Sequence, residues 1–596
     1  MSLMSSLYTG VSGLNTSQRG LTVAAHNLSN VETDGYVRQQ MESTDALYIT
    51  QGFNNIGYLQ IGYGSQVTSV KQVRDMFLDK TYREEIGREG FYQSQYDATQ
   101  EVEDIFGEIQ GVAFQDSLEN LWVSLQELCK EPDSIVTRAS FIQTAVSFIE
   151  RAEEVYDQIQ EYQESLNTQV QTDVNRINSL AQEIYDLNHQ IQKIEASGYE
   201  NANDLRDTRN MKLDELAEIV KIDYKEDQSG VVTVYAEGYA LVTEDMVFRM
   251  DTRYCSDTSS LIEPYWVDYD GVDVFDFSTV PSSQADTDIG SLKGLLLARG
   301  SKQGQYTDIP REPEKEDYTD EAGVFDETGY NDAMRTYNKE VAVYETEVEA
   351  SVCVSIQAQF DNLIHGIVTT INDILCPNTE INVLNDDGTV SSITVLDEEN
   401  APVGMDADQS QGEALFNRKS ADRYETKTVT VVNADGSTET RNVRVYTEED
   451  PSDNYSLFTV GEIEVNPNVL KNPSVIPLSD NRGTGDFTID ICDDLMSAWQ
   501  ADFDVVSPSA YQKLNFNSYY TEMIGLLGTN GERFKNVYES QESLASSVDN
   551  ERQASMAVSS DEELTSIIRY QQGYNANSRF ISVVNDMLEQ LLNSLG

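Results

Sequence analysis

Histidine is scarce in this 596-residue chain, which has only His26, His189 and His365. None of the three sits in an HExxH or Ser-His-Asp context, so histidine-centred hydrolysis has no place to reside. Cations are few as well: 40 Lys and Arg face 103 Asp and Glu, for a formal net charge of -63. Such a surface repels phosphate backbones and anionic headgroups, which argues against nucleic acid or a membrane as partner and favours solubility. The five cysteines, Cys129, Cys255, Cys353, Cys376 and Cys492, form no CxxC pair and no even framework. They read as buried or incidental thiols rather than a disulfide scaffold. No stretch is apolar enough to span a bilayer, and Arg19 is the first cation, so the start of the chain lacks the basic region of a cleavable secretory signal. By these rules the protein belongs in the cytoplasm, unless it leaves by a route that reads another kind of signal.

Other candidate chemistry is thin. Cys353, His365 and Cys376 are 12 and 11 residues apart; on one helix that places neighbours roughly 17 Å from each other, too far to share a metal. "DYDGVD", with Asp268, Asp270 and Asp273, has its glycine too early for a calcium loop and reads as an acidic turn. "GSLKGLLLARGSKQG" contains no GxxxxGK[ST] and offers no phosphate cradle. The expectation is a protein without catalytic residues, metal ligands or cofactors.

What the chain does have is helical periodicity at both ends. Leu7, Leu14, Leu21 and Leu28 recur every seven residues, and Met4, Val11, Gln18 and Ala25 form a second row. Near the C-terminus, Ile567, Tyr574, Ile581, Leu588 and Leu595 keep the same beat, with Tyr570, Asn577, Val584 and Leu591 three places on. These are coiled-coil seams, and a lone seam Asn such as Asn577 fixes register at some cost in stability. The seams are expected to face each other, Leu7, Leu14, Leu21 and Leu28 against Tyr574, Ile581, Leu588 and Leu595. Residues 1 to 31 contain no Asp or Glu, and Ser2, Ser5, Ser6, Thr9, Ser12, Asn15, Thr16, Ser17 and Thr22 put small hydroxyls and amides where a solvated helix would carry Lys and Glu. In so acidic a chain an uncharged face implies burial against further protein, where charge would be costly. After Leu28, the Asn27 to Asn30 segment can cap the helix, and Asp34-Gly35 supplies a turn that sends Tyr36 outward. His26 reads as a packing residue.

Between Pro132 and Gly198 lie 65 residues without Gly or Pro, carrying Leu166, Val170, Val174, Ile177, Leu180, Ile184, Leu187, Ile191 and Ile194 three and four apart. As one helix the stretch is about 95 Å long at about 1.5 Å per residue. A second run covers about Asp332 to Leu375, and a third carries Met523, Leu527, Phe534, Val537, Leu544 and Val548. "GVVTVYAEGYALV" alternates as strands do, and "KTVTVVNADGSTETRNVRVY" reads as a hairpin turning at Asp435-Gly436. The fold class expected is α+β and multidomain: a long antiparallel helical bundle from both parts of the chain, inserted β-rich outer domains and coiled-coil-like terminal helices. The divisions are 1–45 and 556–596 for the terminal helices, 46–220, 291–375 and 506–555 for the shaft, and 221–290 and 376–505 for the outer domains.

"SSLYTGVSGLNTSQRGLTVAAHNLSNVETDGYVRQQ", with Asn30 and the Gly35-Tyr36 turn, resembles the signature of the flagellar rod-hook axial proteins. Arg38-Gln39 after that turn resembles the variant of the members at the hook-filament junction. "INSLAQEIYDLNHQI", "NANDLRDTRNMKLDELAEIV" and "DEELTSIIRYQQGYNANSRFISVVNDMLEQLL" are similar to the helical domain and C-terminal pattern of those members. The resemblance implies a structural component of the bacterial flagellum, exported through the flagellar type III channel to the cell exterior. It implies assembly of about eleven copies as a ring or helical turn. The implied partners are the hook protein, a second junction protein and a cytoplasmic export chaperone. Leu7, Leu14, Leu21, Leu28, Asn30, Gly35, Tyr36, Tyr570, Tyr574, Asn577, Ile581, Leu588 and Leu595 would then line the subunit interface of an inner tube, with the termini disordered in the monomer. The alternatives are a distal rod or hook subunit, or an exported adhesin or enzyme carried on the outer domain.

Overall fold

The computed structural model describes residues 3–54, 57–107, 113–198, 200–256, 259–319, 323–385, 388–433, 437–479, 490–510 and 512–595. The fold is α+β and multidomain. Its shaft is built on α2 (Met76–Phe106), α3 (Phe114–Lys130), α4 (Ile135–Glu195) and α5 (Asn203–Ile219), with α6 (Ser291–Arg299), α8 (Val352–Leu375) and α11 (Phe516–Met556) completing it. Asp75 starts α2 by accepting hydrogen bonds from the Phe77 and Leu78 N–H groups, and Gly107 ends it in the left-handed region. The 61-residue α4 has no interior Gly or Pro to break it.

α2 and α11 run antiparallel: Tyr96 stacks on Tyr538, Phe106 meets Tyr520, and the Arg552 guanidinium lies 3.9 Å over the Tyr82 ring. Where α2, α3, α4, α8 and α11 converge, Phe106, Phe114, Phe148, Phe360 and Tyr520 form one aromatic knot, fully buried. Edge-to-face pairs of this kind add to the apolar burial that holds the bundle.

Along α4, Leu166, Val170, Val174, Ile177, Leu180, Ile184 and Ile191 are buried as their spacing implies. Leu187 is only half-buried and Ile194 is exposed. Asn188 takes the inward place instead, because it holds a strand: its amide donates to the Val232 carbonyl at 2.8 Å and accepts from the Val232 N–H at 3.1 Å. The run from Asp332 to Leu375 is not one helix. α7 (Glu327–Tyr344) passes into a π turn at Glu345–Glu349, and α8 starts afresh where the Ser351 hydroxyl accepts from the Val354 N–H.

The strands are short and antiparallel. β1 (Gln39–Asp45) pairs with β4 (Ser65–Gln72), so this ribbon crosses the 45/46 division drawn from the sequence; β2 (Tyr48–Asn54) and β3 (Gly57–Gly62) form a hairpin between them. β5 (Ile222–Glu226), β6 (Val232–Ala236) and β7 (Tyr239–Val242) make a meander with Glu237 and Gly238 both at positive φ in its tight turn. β8 (Met250–Tyr254) pairs with β9 (Ile262–Trp266). β10 (Asn378–Leu384), β11 (Val390–Leu396), β14 (Thr438–Tyr446) and β13 (Tyr424–Val432) close a small barrel around Val383, Val395, Val431 and Val443. The β13–β14 hairpin is present, and its turn at Asp435-Gly436 lies outside the described residues. β12 (Phe416–Arg418) and β15 (Ile463–Val465) form a two-stranded ribbon, with α9 (Pro467–Lys471) and α10 (Asp490–Gln500) leading back to the shaft.

Candidate assembly interface

α1 (Leu3–Ser29) and α12 (Ser560–Leu595) pack side by side and antiparallel. The seam differs from the leucine row expected. Gly10 lies against Ile581 and Phe580, Gly13 against Asn577, Gly20 against Tyr570, and Gly573 of α12 against Ser17. A Cβ at Gly20 would come within 2.5 Å of the Tyr570 ring, and one at Gly13 within 2.7 Å of the Asn577 oxygen. The inward stripe of α1 is therefore Gly10, Gly13, Ser17, Gly20, Ala24 and Asn27, a three-four row of small side chains that receives the bulky row of α12.

Leu7, Leu14, Leu21 and Leu28 are half-buried, one place round the helix from that stripe, while Met4, Val11, Gln18 and Ala25 are exposed. On α12, Tyr570, Asn577, Ile581 and Leu588 turn toward α1 with Val584, but Tyr574 is exposed and Gly573 stands in the seam in its place. Leu595 ends α12, with its side chain outside the described set. The correction has a steric cause: large side chains on both helices would hold the backbones apart, whereas glycine lets the tyrosine and isoleucine of α12 seat directly on the backbone of α1. The spacing of Gly10, Gly13, Ser17, Gly20 and Ala24 was the signal in the sequence for it.

The hydroxyls of α1 are satisfied locally. Thr9 donates to the Ser5 carbonyl, Thr16 to Ser12, Ser17 to Gly13 and Thr22 to Gln18, at 2.9–3.1 Å. Thr16 also meets the Ser65 hydroxyl on β4, and Tyr8 approaches Tyr63. A face whose hydroxyls already have partners can be covered by protein at small desolvation cost.

The elbow after α1 ties the pair to the shaft. Asn30 caps α1, its amide donating to the His26 carbonyl at 3.0 Å. Gly35 sits at φ +72° with the Met211 sulfur where a Cβ would lie, so only glycine fits there. Tyr36 does not point outward. It folds back, its hydroxyl donating to Asn27 Oδ1 at 2.8 Å and its ring meeting the edge of His26. Buried Asn27 also accepts from the Gln39 N–H and donates to the Gln39 carbonyl, locking the turn. Arg38 pairs with Glu562 and Glu563 at the start of α12, and the Val37 N–H donates to Asp207 on α5 at 3.2 Å. Burial pushes the Asp207 carboxyl up to about 7, and burial with the carboxylates of Asp204, Asp207 and Glu563 raises the Tyr36 phenol.

Apolar side chains on the helix pair face solvent: Phe580, Val583, Met587 and Leu591 in a three-four row on α12, and Met4, Tyr8 and Val11 on α1. Patches of this kind on soluble proteins mark interaction sites.

Known proteins resemble this chain in the same parts. Residues 7–36 match the family described as flagella basal body rod protein, residues 99–323 the flagellar hook-associated protein FlgK helical domain, and residues 553–595 the flagellar basal body rod FlgEFG protein C-terminal family. Flagellar hook-associated protein 1 of Bacillus subtilis is 22% identical over 599 residues, covering 99% of this chain and 98% of its own. Those of Salmonella typhimurium and Escherichia coli K12 are each 22% identical, over 605 and 611 residues, covering 99% of this chain and 100% of theirs. The chain is thus similar to flagellar hook-associated protein 1 over nearly its whole length, with the match to the FlgK helical domain taking in much of its shaft. A solved flagellar hook junction protein FlgK from Burkholderia pseudomallei aligns over 80% of this chain and all of its own at TM-score 0.48 and 11% identity.

The remaining residues singled out from the sequence lie elsewhere. His365 stacks on Tyr306 at 3.8 Å and bonds to Glu449 at 3.1 Å. His189 meets Tyr185 edge-on. Asp268 accepts from the Arg249 N–H and Asp273 pairs with Arg253 around a turn in which Asp270 and Gly271 take positive φ. Among the described residues no group of three metal-ligating side chains occurs and no helix is long and apolar enough to cross a membrane.

Proposed function

We propose that this protein is a hook-filament junction subunit: a structural adaptor, without a reaction of its own, whose copies assemble through the α1–α12 pair. The exposed apolar row Phe580, Val583, Met587 and Leu591 carries the reading, because apolar side chains recurring along one helix face of an acidic protein mark an interaction surface. Identical copies stacking heterologously would bury that row against the hydroxyl-bearing faces of a neighbouring α1 and build a tube. Leu7, Leu14, Leu21, Leu28, Tyr574 and Leu595 then act between subunits, with Tyr570, Asn577, Ile581 and Leu588 holding each pair together. Asn30, Gly35 and Tyr36 set the angle between tube and shaft.

About eleven copies, contact with the hook protein on one side and a second junction protein on the other, a cytoplasmic chaperone for the C-terminal segment, and unfolded export to the cell exterior follow from the family resemblance. The domain division is likewise part of this reading: terminal helices inside, helical shaft around them, β-rich domains outermost where their carboxylates stay hydrated. In the isolated monomer the terminal helices lack their neighbours and exchange their amides freely.

Deletion of residues 1–30 or 565–596 tests this. Non-motile cells and an unassembled protein whose circular dichroism still reports a folded shaft are the expected result; motile cells overturn it. Replacing residues 376–500 should leave motility intact, whereas loss of adhesion or of an enzymatic activity with motility kept would favour an exported adhesin or enzyme.

A further inference from the structure

α3 and α10 pack antiparallel, and two pairs of side chains establish their register. Trp122 and Trp499 stack with ring centroids 5.5 Å apart and planes within 16°. Seven residues on along α3 and seven back along α10, two helical turns in each case, Cys129 and Cys492 meet. Both are buried free thiols, and the Cys129 sulfur lies 3.6 Å from the Cys492 carbonyl oxygen.

We propose that Cys129 and Cys492 form a disulfide when the protein meets an oxidising thiol–disulfide buffer, making this pair a covalent clasp. The two cysteines are 363 positions apart in the chain, so a bond here closes a loop that carries α4 to α9 and the strands β5 to β15. Cross-links that close long loops restrict the unfolded chain most.

The surroundings suit the chemistry. The Cys492 thiol is held below its ordinary value, first because the Cys129 thiol hydrogen-bonds to it and then because the Arg138 cation stands near. Arg138 is itself fully buried; its Nε donates to the Pro132 carbonyl and its Nη1 to the Ile476 carbonyl, while Nη2 has no hydrogen-bond partner. The nearby Arg138 cation favours Cys492 over Cys129 as the attacking sulfur. With glutathione disulfide as oxidant, Cys492 Sγ attacks one sulfur, forming a mixed disulfide and releasing one glutathione thiolate. Cys129 Sγ then attacks Cys492 Sγ and releases the second. Two protein thiols are oxidised, one glutathione disulfide is reduced to two glutathione thiols, and the two protons leave on those thiols.

The other cysteines are not so placed: Cys353 and Cys376 stand at opposite ends of α8, and Cys255 lies beside Arg299. The clasp rests on the helix register alone and is independent of where the protein works.

The test uses the full chain, equilibrated with oxidised glutathione at a urea concentration that leaves its circular dichroism native but allows α3 and α10 to open. Thiol titration after denaturation should fall from five to three. Peptide mass mapping should show the segments holding Cys129 and Cys492 joined within one molecule, and fluorescence of the Trp122–Trp499 pair should change on oxidation and revert with reductant. Cys129→Ala and Cys492→Ala should each abolish the bond, and Cys353→Ala should leave it. Five thiols remaining in the wild-type protein, or a bond joining other cysteines or two molecules, overturns the proposal whether or not the variants fold.

Discussion

Gly20 of α1 lies beneath the ring of Tyr570 on α12, so close that a single added methyl would stand 2.5 Å from the ring carbons. Gly20→Ala therefore forces the two helices apart, at a cost of about 1–3 kcal/mol for overpacking. Because the pair is long and lies apart from the shaft core, the loss should appear as faster proteolysis and amide exchange in α12 within assembled protein, with the shaft unchanged. A Gly20→Ala protein indistinguishable from wild type would show that the glycine row does not set the seam.

Asn27 makes three hydrogen bonds across the elbow, to Tyr36 and both backbone groups of Gln39, and is almost wholly buried. Asn27→Ala leaves these partners unpaired and should destabilise the elbow by about 1–3 kcal/mol. Asn30→Ala, which removes a more exposed cap, should cost about 1 kcal/mol or less. Amide exchange at Gln39 and Val37 measures the difference, and equal effects would contradict the assignment.

Met587 is exposed and belongs to the row proposed to meet a neighbouring copy. Met587→Asp should change the monomer's stability by no more than about 0.5 kcal/mol, yet block assembly, because a carboxylate buried without a partner is costly. Sedimentation of assembled material, with circular dichroism of the monomer as control, distinguishes the two effects.

Two carboxyls, fully buried Asp361 on α8 and half-buried Glu449 in the inserted domain, bind protons in opposite senses. Asp361, fully buried, is pushed up to about 7 by burial, in spite of hydrogen bonds from the Tyr306 and Val460 N–H groups. Its contribution to stability is complete below about 4 and is lost as pH rises through 7. For Glu449 burial acts upward, but the His365, Phe458 and Tyr306 hydrogen bonds bring it down to about 2, so its contribution is present above the ordinary glutamate range and disappears as pH falls through 2. Thermal unfolding midpoints followed from pH 2 to pH 8 should show Asp361→Asn with a shallower decline on the neutral side, and Glu449→Gln with a shallower decline on the acid side. Unchanged slopes in both variants would refute these assignments.

Much of this was legible along the chain. The absence of Gly and Pro between Pro132 and Gly198 foretold the long α4, since nothing in it interrupts the backbone ladder. Alternation foretold β6 and β7, and Asp34-Gly35 the left-handed turn. Less legible were features set by contacts remote in sequence. Next to the break at Glu345–Glu349, Ser351 bonds to the Ala298 carbonyl on α6, and the folded-back Tyr36 bonds to the amide of Asn27.

The sequence by itself determined that both termini are periodic helices, the first of them without acidic residues, and that the middle is a helical shaft with strands inserted. Only the tertiary structure decided which face of α1 is the seam. Leucines (Leu7, Leu14, Leu21, Leu28) and small residues (Gly10, Ser17, Ala24; Gly13, Gly20) recur on α1 with the same seven-residue period, so periodicity cannot choose between them. The choice falls to the size of what arrives from α12: Tyr570 and Ile581 fill the space that glycine leaves, and the leucines are turned aside toward the flank.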